Sequence, residues 1–244
     1  MDLNKLRVRR SFIFTPGLQP EMFPKALASG ADMVCIELED GIAMKDKDEA
    51  RKNTIEALKS LEVKNDVELV VRLNCQRTKH GLLDLEAIAS NKLNVKAIML
   101  PKVKTPDEIT FIDDMLTDCG LDTDLHVIME TNQALESIYD IAHSSDRIVA
   151  LYFGGEDMEG MKKEAQFVKN LGFTGKGSIH PKQISILNEI FTPSEEEIIK
   201  AKRIMDQFKK ANTGLVVIDG KLIERPVLRE RQRKLLVANK INKS

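Results

Sequence analysis

Apolar runs alternate with amphipathic stretches over most of this chain. Seven runs of apolar and β-branched residues are typical of strands, and they cover residues 11–17, 32–40, 68–74, 95–102, 125–130, 148–153 and 172–181. The stretches between and after them have helical spacing or helix-start signals, and they cover residues 20–28, 45–61, 82–90, 106–119, 133–143, 159–171 and 182–190. The pattern therefore predicts seven strand–helix units.

This alternation predicts an α/β fold with a parallel sheet. Repeated units in this number favour a (β/α) barrel of the triosephosphate-isomerase (TIM) type over an open doubly wound sheet. The chain has no glycine-rich dinucleotide fingerprint and no Walker loop, either of which would have favoured nucleotide binding.

The pattern changes after about residue 191. Ser194 begins a capping box for a helix to about 211, residues 215–223 form a hairpin turning at Asp219-Gly220, and a basic helix covers 227–240. We therefore divide the chain into a barrel, residues 1–191, and a helix–hairpin–helix extension, residues 192–244. The extension could pack on its own barrel, cover the site as a lid or reach a neighbouring subunit.

Composition restricts the class of protein. The chain has 244 residues, 42% of them hydrophobic, and a formal net charge of −1, which argues against a general nucleic-acid or membrane-surface role. No run approaches the length of a membrane span. The three separated cysteines suit a reducing compartment, so we expect a soluble cytoplasmic protein.

Polar residues cluster where the predicted strands end. The set comprises Glu37, Glu39, Asp40, Arg72, Asn74, Lys102, Glu130, Glu156, Asp157 and His180. In a barrel these ends converge on one face. Glu130 and Asp157 could hold a divalent cation there, since Mg²⁺ is commonly bound by one or two carboxylates, although each alone is more often an ordinary loop acid.

Two basic residues at this edge have distinct expected roles. Arg72 beside a cation would clamp a substrate carboxylate or carbonyl oxygen. Lys102 could be a Schiff-base lysine on a barrel strand. Acids lie nearby, so we favour a structural or ion-paired lysine.

The chain carries a series of short motifs: Arg10-Ser-Phe-Ile-Phe-Thr-Pro-Gly17, Glu37-Leu-Glu-Asp-Gly41, Val71-Arg-Leu-Asn74, Met99-Leu-Pro-Lys-Val103, Ile128-Met-Glu-Thr131, Phe153-Gly-Gly-Glu-Asp157 and Ile179-His-Pro181. Together these motifs resemble the citrate lyase beta-subunit-like proteins of the HpcH/HpaI aldolase superfamily, which includes malyl-CoA and citramalyl-CoA lyases. The resemblance covers nearly the whole chain. It implies a Mg²⁺-dependent TIM barrel, usually a homotrimer or homohexamer, acting on an acyl-CoA thioester and a 2-oxo acid.

The resemblance also implies roles for individual residues. Glu130 and Asp157 would be the Mg²⁺ ligands, and Arg72 would contact the substrate oxygen. Arg10 and Lys25 fall where the family contacts CoA. Glu224 stands where the family carries an aspartate acid/base that is often offered to a neighbouring subunit.

The chain departs from this family after Asp157. Relatives continue through a helix and a seventh strand, whereas here Met158 leads almost directly into a segment, 159–166, that resembles the one after that strand. We therefore expect a barrel shortened by one βα unit beside the metal site.

The resulting hypothesis is a Mg²⁺-dependent carbon–carbon lyase of the retro-Claisen or aldol type. It would cleave a citryl, malyl or citramalyl thioester of CoA to an acyl-CoA and a 2-oxo acid. Two alternatives stay open from the sequence: a thioester hydrolase using the same site, and a degenerate, non-catalytic barrel that binds acyl-CoA.

Overall fold

A computed structural model describes residues 7–63, 67–93, 95–153, 161–178, 180–211, 215–218 and 221–241. Of residues 161, 215, 216, 221, 222 and 224–227 it describes the backbone alone. The strands are β1 (Ser11–Pro16), β2 (Met33–Glu37), β3 (Glu68–Arg72), β4 (Ala97–Leu100), β5 (Asp124–Met129), β6 (Ile148–Phe153), β7 (Lys176–Ser178), β8 (Leu215–Ile218) and β9 (Lys221–Glu224). The helices are α1 (Phe23–Leu27), α2 (Lys47–Leu58), α3 (Lys79–Ser90), α4 (Pro106–Asp118), α5 (Asn132–Glu136), α6 (Ile138–His143), α7 (Met161–Asn170), α8 (Ile184–Phe191), α9 (Glu195–Ala211) and α10 (Arg225–Ile241).

The first seven strands form one parallel sheet in the order β6-β5-β4-β3-β2-β1-β7. This confirms the predicted α/β class and the parallel sheet. Among the described residues, β6 and β7 are the two edge strands, and β7 lies beside β1.

The sheet is strongly curled. Phe12 of β1 and Tyr152 of β6 are five strands apart, which would separate them by about 24 Å in a flat sheet. Their ring centroids are 5.2 Å apart, and the Arg9 guanidinium reaches the carbonyl oxygen of Val149 at 3.5 Å. The edge strand β6 has therefore curled back towards β1.

Both faces of the sheet are apolar, which explains why its strands are near-continuous hydrophobic runs. The outer face carries the main core between sheet and helices, with residues such as Val34, Val71 and Ile98. The concave face carries a smaller cluster that includes Met33, Val70 and Met99. Alternate residues of one strand thus supply the two layers.

Several predicted bounds were wrong. The strand expected over 172–181 is only Lys176–Ser178; its glycines allow close packing, since a Cβ on Gly177 would lie 2.5 Å from the Phe12 ring. The helix expected over 133–143 is two helices meeting at Ser137, whose ψ of 19° leaves the helical region. Only short helical turns, Pro20–Met22 and Phe23–Leu27, occupy the helix expected over 20–28.

The C-terminal elements have their own small core. Hairpin β8–β9 is antiparallel, and α9 packs beside α10. A separate cluster joins them, made of Ile204, Met205, Ile218, Ile223 and Leu228 with Phe208 and Leu235 against it. Among the described helices, none is long and apolar enough to cross a membrane.

Candidate active site at the carboxyl edge of the sheet

The predicted strand-end residues meet at one edge because the strands are parallel and in register. Glu37 and Arg72 are paired residues at the ends of β2 and β3. Lys102 follows β4 by two residues, and Glu130 follows β5 directly. The structure therefore brings together four residues that lie up to 93 positions apart in the sequence.

Arg72 lies among three carboxylates. Its Nε is 3.2 Å from Glu37 Oε2, its Nη2 donates a short hydrogen bond to Glu39 Oε2, and the same nitrogen is 3.6 Å from Asp40 Oδ2. The guanidinium also lies 5.3 Å from the centre of the Phe14 ring, at which distance a cation–π contact stabilises its position. Arg72 is thus held in one orientation at the strand end.

The acids around Arg72 are not equivalent. Glu37 and Glu39 are buried, whereas the Asp40 side chain is 65% exposed. Burial raises the pKa of Glu37 to about 7, an effect that Arg72 partly offsets. The Glu37 carboxylate accepts a short hydrogen bond from the Glu39 N–H, so it also shapes the loop after β2.

Lys102 is an ion-paired lysine. Its Nζ lies 2.7 Å from Glu39 Oε1 and 2.9 Å from Asp40 Oδ1. Hydrogen bonding to Glu39 and Asp40 raises its pKa above the ordinary value. A Schiff-base lysine needs a neutral amine, hence a lowered pKa, so the structure favours the ion-paired interpretation over the Schiff-base alternative.

Glu130 has the exposure and geometry expected of a cation ligand. Its side chain is exposed at the end of β5, and Oε1 accepts the Lys102 N–H at 2.8 Å. Within the described part of the chain, Oε2 has no protein partner. An exposed carboxylate with one oxygen held by a main-chain N–H suits Mg²⁺, which keeps several waters and takes few protein ligands.

A second group of residues supports the edge from behind, and the sequence reasoning missed most of it. Asp84 of α3, 1% exposed, accepts the main-chain and side-chain N–H groups of Asn74 at 2.8 Å each and Arg51 Nε at 2.7 Å. Lys47, also buried, donates from Nζ to the main-chain oxygens of Leu38 and Glu39. The signal in the sequence that could have identified Asp84 and Lys47 was a charged residue on the buried face of α3 and of α2, respectively.

The remaining predicted site residues are placed differently. Arg10 precedes β1 and so lies at the amino ends of the strands, whereas Arg72 lies at their carboxyl ends. The Arg10 guanidinium is 2.8 Å from both Asp32 oxygens. Lys25 is exposed on α1, which follows the carboxyl end of β1. Asp157 lies outside the described residues, and of Glu224 only its main-chain position at the end of β9 is described.

Comparison with known proteins agrees with this fold. The family profile HpcH/HpaI aldolase/citrate lyase matches residues 10–159, more than half of the chain. This chain therefore belongs to the HpcH/HpaI aldolase/citrate lyase family, as the motifs predicted.

Two curated relatives match over most of their length. The citrate lyase subunit beta of Leuconostoc mesenteroides subsp. cremoris is 27% identical, with 97% of this chain and 95% of that protein covered. The L-malyl-CoA/beta-methylmalyl-CoA lyase of Rhodobacter capsulatus is 26% identical, with 93% of each covered.

The fold is that of solved structures of the same kind. Protein CitE from Mycobacterium tuberculosis, in complex with magnesium, acetoacetate and coenzyme A, superimposes with a TM-score of 0.67 at 23% identity, covering 94% of this chain and 97% of that one. At this identity the match establishes the fold, and the chemistry of this chain rests on its own residues.

Proposed function

We propose that this protein is a Mg²⁺-dependent carbon–carbon lyase acting on a 3-hydroxy-carboxyacyl-CoA, with citryl, malyl and citramalyl thioesters as candidates. The products are an acyl-CoA and a 2-oxo acid. The observation that carries the proposal is the position of Arg72 and Glu130, which lie at one edge of the sheet and are joined through Glu39 and Lys102.

Glu130 is the described residue that would hold the metal, together with Asp157, which follows β6 by four residues in the sequence. Bound there, Mg²⁺ would act as a Lewis acid on the substrate oxygens and lower the pKa of the substrate hydroxyl. The support from this chain is the exposed Glu130 carboxylate, one oxygen of which is held by the Lys102 N–H. Support from relatives is that solved CitE structures contain magnesium.

Arg72 would bind the substrate oxygen on which negative charge develops as the carbon–carbon bond breaks. Three surrounding carboxylates and the Phe14 ring fix its guanidinium before substrate arrives, so little reorganisation is needed at the moment of reaction. The planar guanidinium can also donate two hydrogen bonds to one carboxylate of the substrate.

The remaining proton transfer needs a base for the substrate hydroxyl, and Glu224 is our candidate. As that proton leaves, the electron pair of the breaking bond passes to the carbon next to the thioester, which is then protonated. We further propose that Glu224 acts across a subunit boundary in a homotrimer or homohexamer. We propose that Lys25 contacts CoA. Arg10 is paired with Asp32 and lies away from Arg72, so its predicted contact with CoA has no structural support.

We infer that the fold is a TIM-type barrel lacking one βα unit, followed by a C-terminal extension. Strand β7 pairs with β1, as the last strand of a closed barrel does, while β6 and β7 are the edges of the described sheet. The alignment with the Leuconostoc protein extends over 291 positions although this chain has 244 residues. The strand pairing supports a unit missing between β6 and β7, after Asp157 in the sequence, and the alignment length supports a chain shorter than that relative.

Product analysis tests the proposal. Incubation with malyl-CoA or citramalyl-CoA and Mg²⁺ should release acetyl-CoA and a 2-oxo acid, and EDTA should stop the reaction. Glu130→Gln should lower the rate at least about 100-fold, while Glu136→Gln, on the exposed face of α5, should leave it unchanged. Free CoA with an intact hydroxy acid would instead identify a thioester hydrolase, and ligand binding without turnover a non-catalytic barrel.

A further inference from the structure

Lys102 adopts a main-chain conformation that lysine rarely uses. Its φ is +53°, in the left-handed region that side chains with a Cβ disfavour. Such a conformation persists where the surroundings over-determine it, and it is concentrated at functional sites. The contacts of Lys102 identify what holds it in this conformation.

Every polar group of Lys102 is engaged. Its N–H donates to Glu130 Oε1 at 2.8 Å, and its carbonyl oxygen accepts Arg77 Nη2 at 2.8 Å. Its Nζ is paired with Glu39 and Asp40. One residue thus binds the predicted metal ligand through its main chain and the counterions of Arg72 through its side chain.

Charge explains why the second set of contacts matters to Arg72. Glu39 is 3% exposed and is shared between the Arg72 guanidinium and the Lys102 ammonium. Without the Lys102 ammonium, Arg72 would be the nearest positive charge to Glu39 and Asp40. These two carboxylates would then neutralise the charge of Arg72. With the ammonium present, Arg72 keeps attraction for an incoming substrate anion.

We propose that Lys102 is a positioning residue for the reaction. It fixes the Arg72 guanidinium relative to the Glu130 carboxylate and offsets the acids that would otherwise neutralise Arg72. This inference rests on the proposed function, because it assigns Arg72 and Glu130 to substrate and metal. Lys102 itself does not contact the reacting atoms.

The matched variants are Lys102→Met, Lys102→Arg and Lys104→Met. Methionine keeps an unbranched apolar side chain, one heavy atom shorter than that of lysine, and the main-chain link to Glu130, but it removes the ammonium. Lys104 lies two residues further on and is similarly half-buried; in the described part of the chain its side chain has no ion pair, and its N–H donates to Glu108. Arginine at 102 restores the charge.

Turnover, oxo-acid affinity and Mg²⁺ affinity separate the outcomes. Lys102→Met should lower kcat about 10- to 100-fold and weaken oxaloacetate or pyruvate binding, measured by calorimetry with Mg²⁺, about 10-fold. Its Mg²⁺ affinity should stay within about threefold of wild type, since the Glu130 link is main-chain. Lys102→Arg should recover most of the loss, and Lys104→Met should behave as wild type.

A double-mutant cycle excludes a merely structural role. In an Arg72→Met background the further change Lys102→Met should have little effect on oxo-acid affinity, because both act through the same guanidinium. Full additivity, or Mg²⁺ binding weakened as much as in Glu130→Gln, would overturn the inference. An inactive wild type would refute the proposed function alone, and the oxo-acid affinities would still decide the role of Lys102.

Discussion

Arg72 shows how a single side chain acquires its properties from residues that are distant in sequence. Glu37 and Glu39 precede it by more than 30 positions, and Phe14 by more than 50, yet all contact it. The partly buried guanidinium has a raised pKa, because these carboxylates outweigh the cost of its burial. Its charge is therefore permanent, and the same contacts fix its orientation.

Glu37 is the residue whose charge should respond to pH near neutrality. Burial raises its pKa from 4.5 to about 7, so the fold favours the neutral carboxyl. That stabilisation is complete below pH 4.5 and is lost as the pH rises towards 7. In metal-free buffer, the free energy of unfolding should lose up to about 3 kcal/mol across this window.

Urea denaturation at several pH values between 4.5 and 8 checks this prediction. Glu37→Gln should remove that part of the pH dependence, since glutamine stays neutral throughout. Glu136→Gln, with an exposed side chain, should keep the wild-type slope. An unchanged slope in Glu37→Gln would assign the pH dependence to another group.

At the scale of the elements, helix α3 illustrates a boundary that depends on one side chain. The sequence predicted its start at residue 82, but it begins at Lys79 because the Thr78 hydroxyl caps it by accepting the Gly81 N–H at 3.1 Å. Asp84 of this helix accepts the Asn74 N–H. A capping hydroxyl thus fixes a helix that supports the site.

Thr78→Ala should destabilise the protein by about 1 kcal/mol, the usual cost of losing an N-cap. Thr105 offers a matched control, because it is the N-cap residue of α4 and makes no side-chain cap hydrogen bond. Thr105→Ala should therefore cost less than about 0.5 kcal/mol. Thermal or urea melts of the two variants compare them directly, and equal losses would contradict the capping argument.

At the scale of the whole molecule, the concave face of the sheet is tied together by a buried polar network. Glu68 of β3 pairs with Arg9, 2.5 Å from Nε and 2.8 Å from Nη2, and lies 3.4 Å from His126 Nε2. The Tyr152 hydroxyl is 3.0 Å from His126 Nδ1. These contacts link β3, β5 and β6 with the segment before β1 across the curled sheet.

Glu68→Gln should cost about 3–5 kcal/mol at neutral pH, since it leaves a buried guanidinium without its charged partner. Although burial alone would raise it, hydrogen bonds from His126 and Arg9 lower the pKa of Glu68 to about 2. The stabilisation by the ionised Glu68 carboxylate is therefore present above pH 4.5 and is lost as the pH falls towards 2. Glu56→Gln, which breaks the exposed pair with Lys59, should have little effect in the same urea titration.

The division into residues 1–191 and 192–244 stays a prediction that one pair of variants can test. Ile204 is 5% exposed in the C-terminal cluster, whereas Ile199 of the same helix is 67% exposed. Ile204→Asp buries an unpaired carboxylate and should destabilise that cluster by more than about 3 kcal/mol. Ile199→Asp should have little effect.

Limited proteolysis across a urea titration distinguishes the possible results. In Ile204→Asp, cleavage within α9, the hairpin and α10 should begin at lower urea than cleavage within β1–β7. A single transition for the whole chain would show that the two parts fold as one unit.

Much of the order of elements followed from sequence alone. Hydrophobic periodicity is local, so runs such as 68–74 and 125–130 predicted strands close to those observed. The alternation of strands and helices predicted the parallel sheet, and parallel strands necessarily bring Glu37, Arg72, Lys102 and Glu130 to one edge. Helix ends were less certain, since a cap such as Thr78 acts through geometry.

The sequence determined which residues stand at the ends of the strands, and thereby the family and the edge at which the candidate site lies. Only the tertiary structure decided how those residues are paired: that Lys102 faces Glu39 and Asp40, that Arg10 is bound by Asp32 away from that edge, and that Glu68 meets Arg9 and His126 inside the curl. The physical reason is that hydrophobic periodicity depends only on residues that are close together in the sequence. Pairing of charges depends on distances between strands, which arise when the sheet curls and its helices pack.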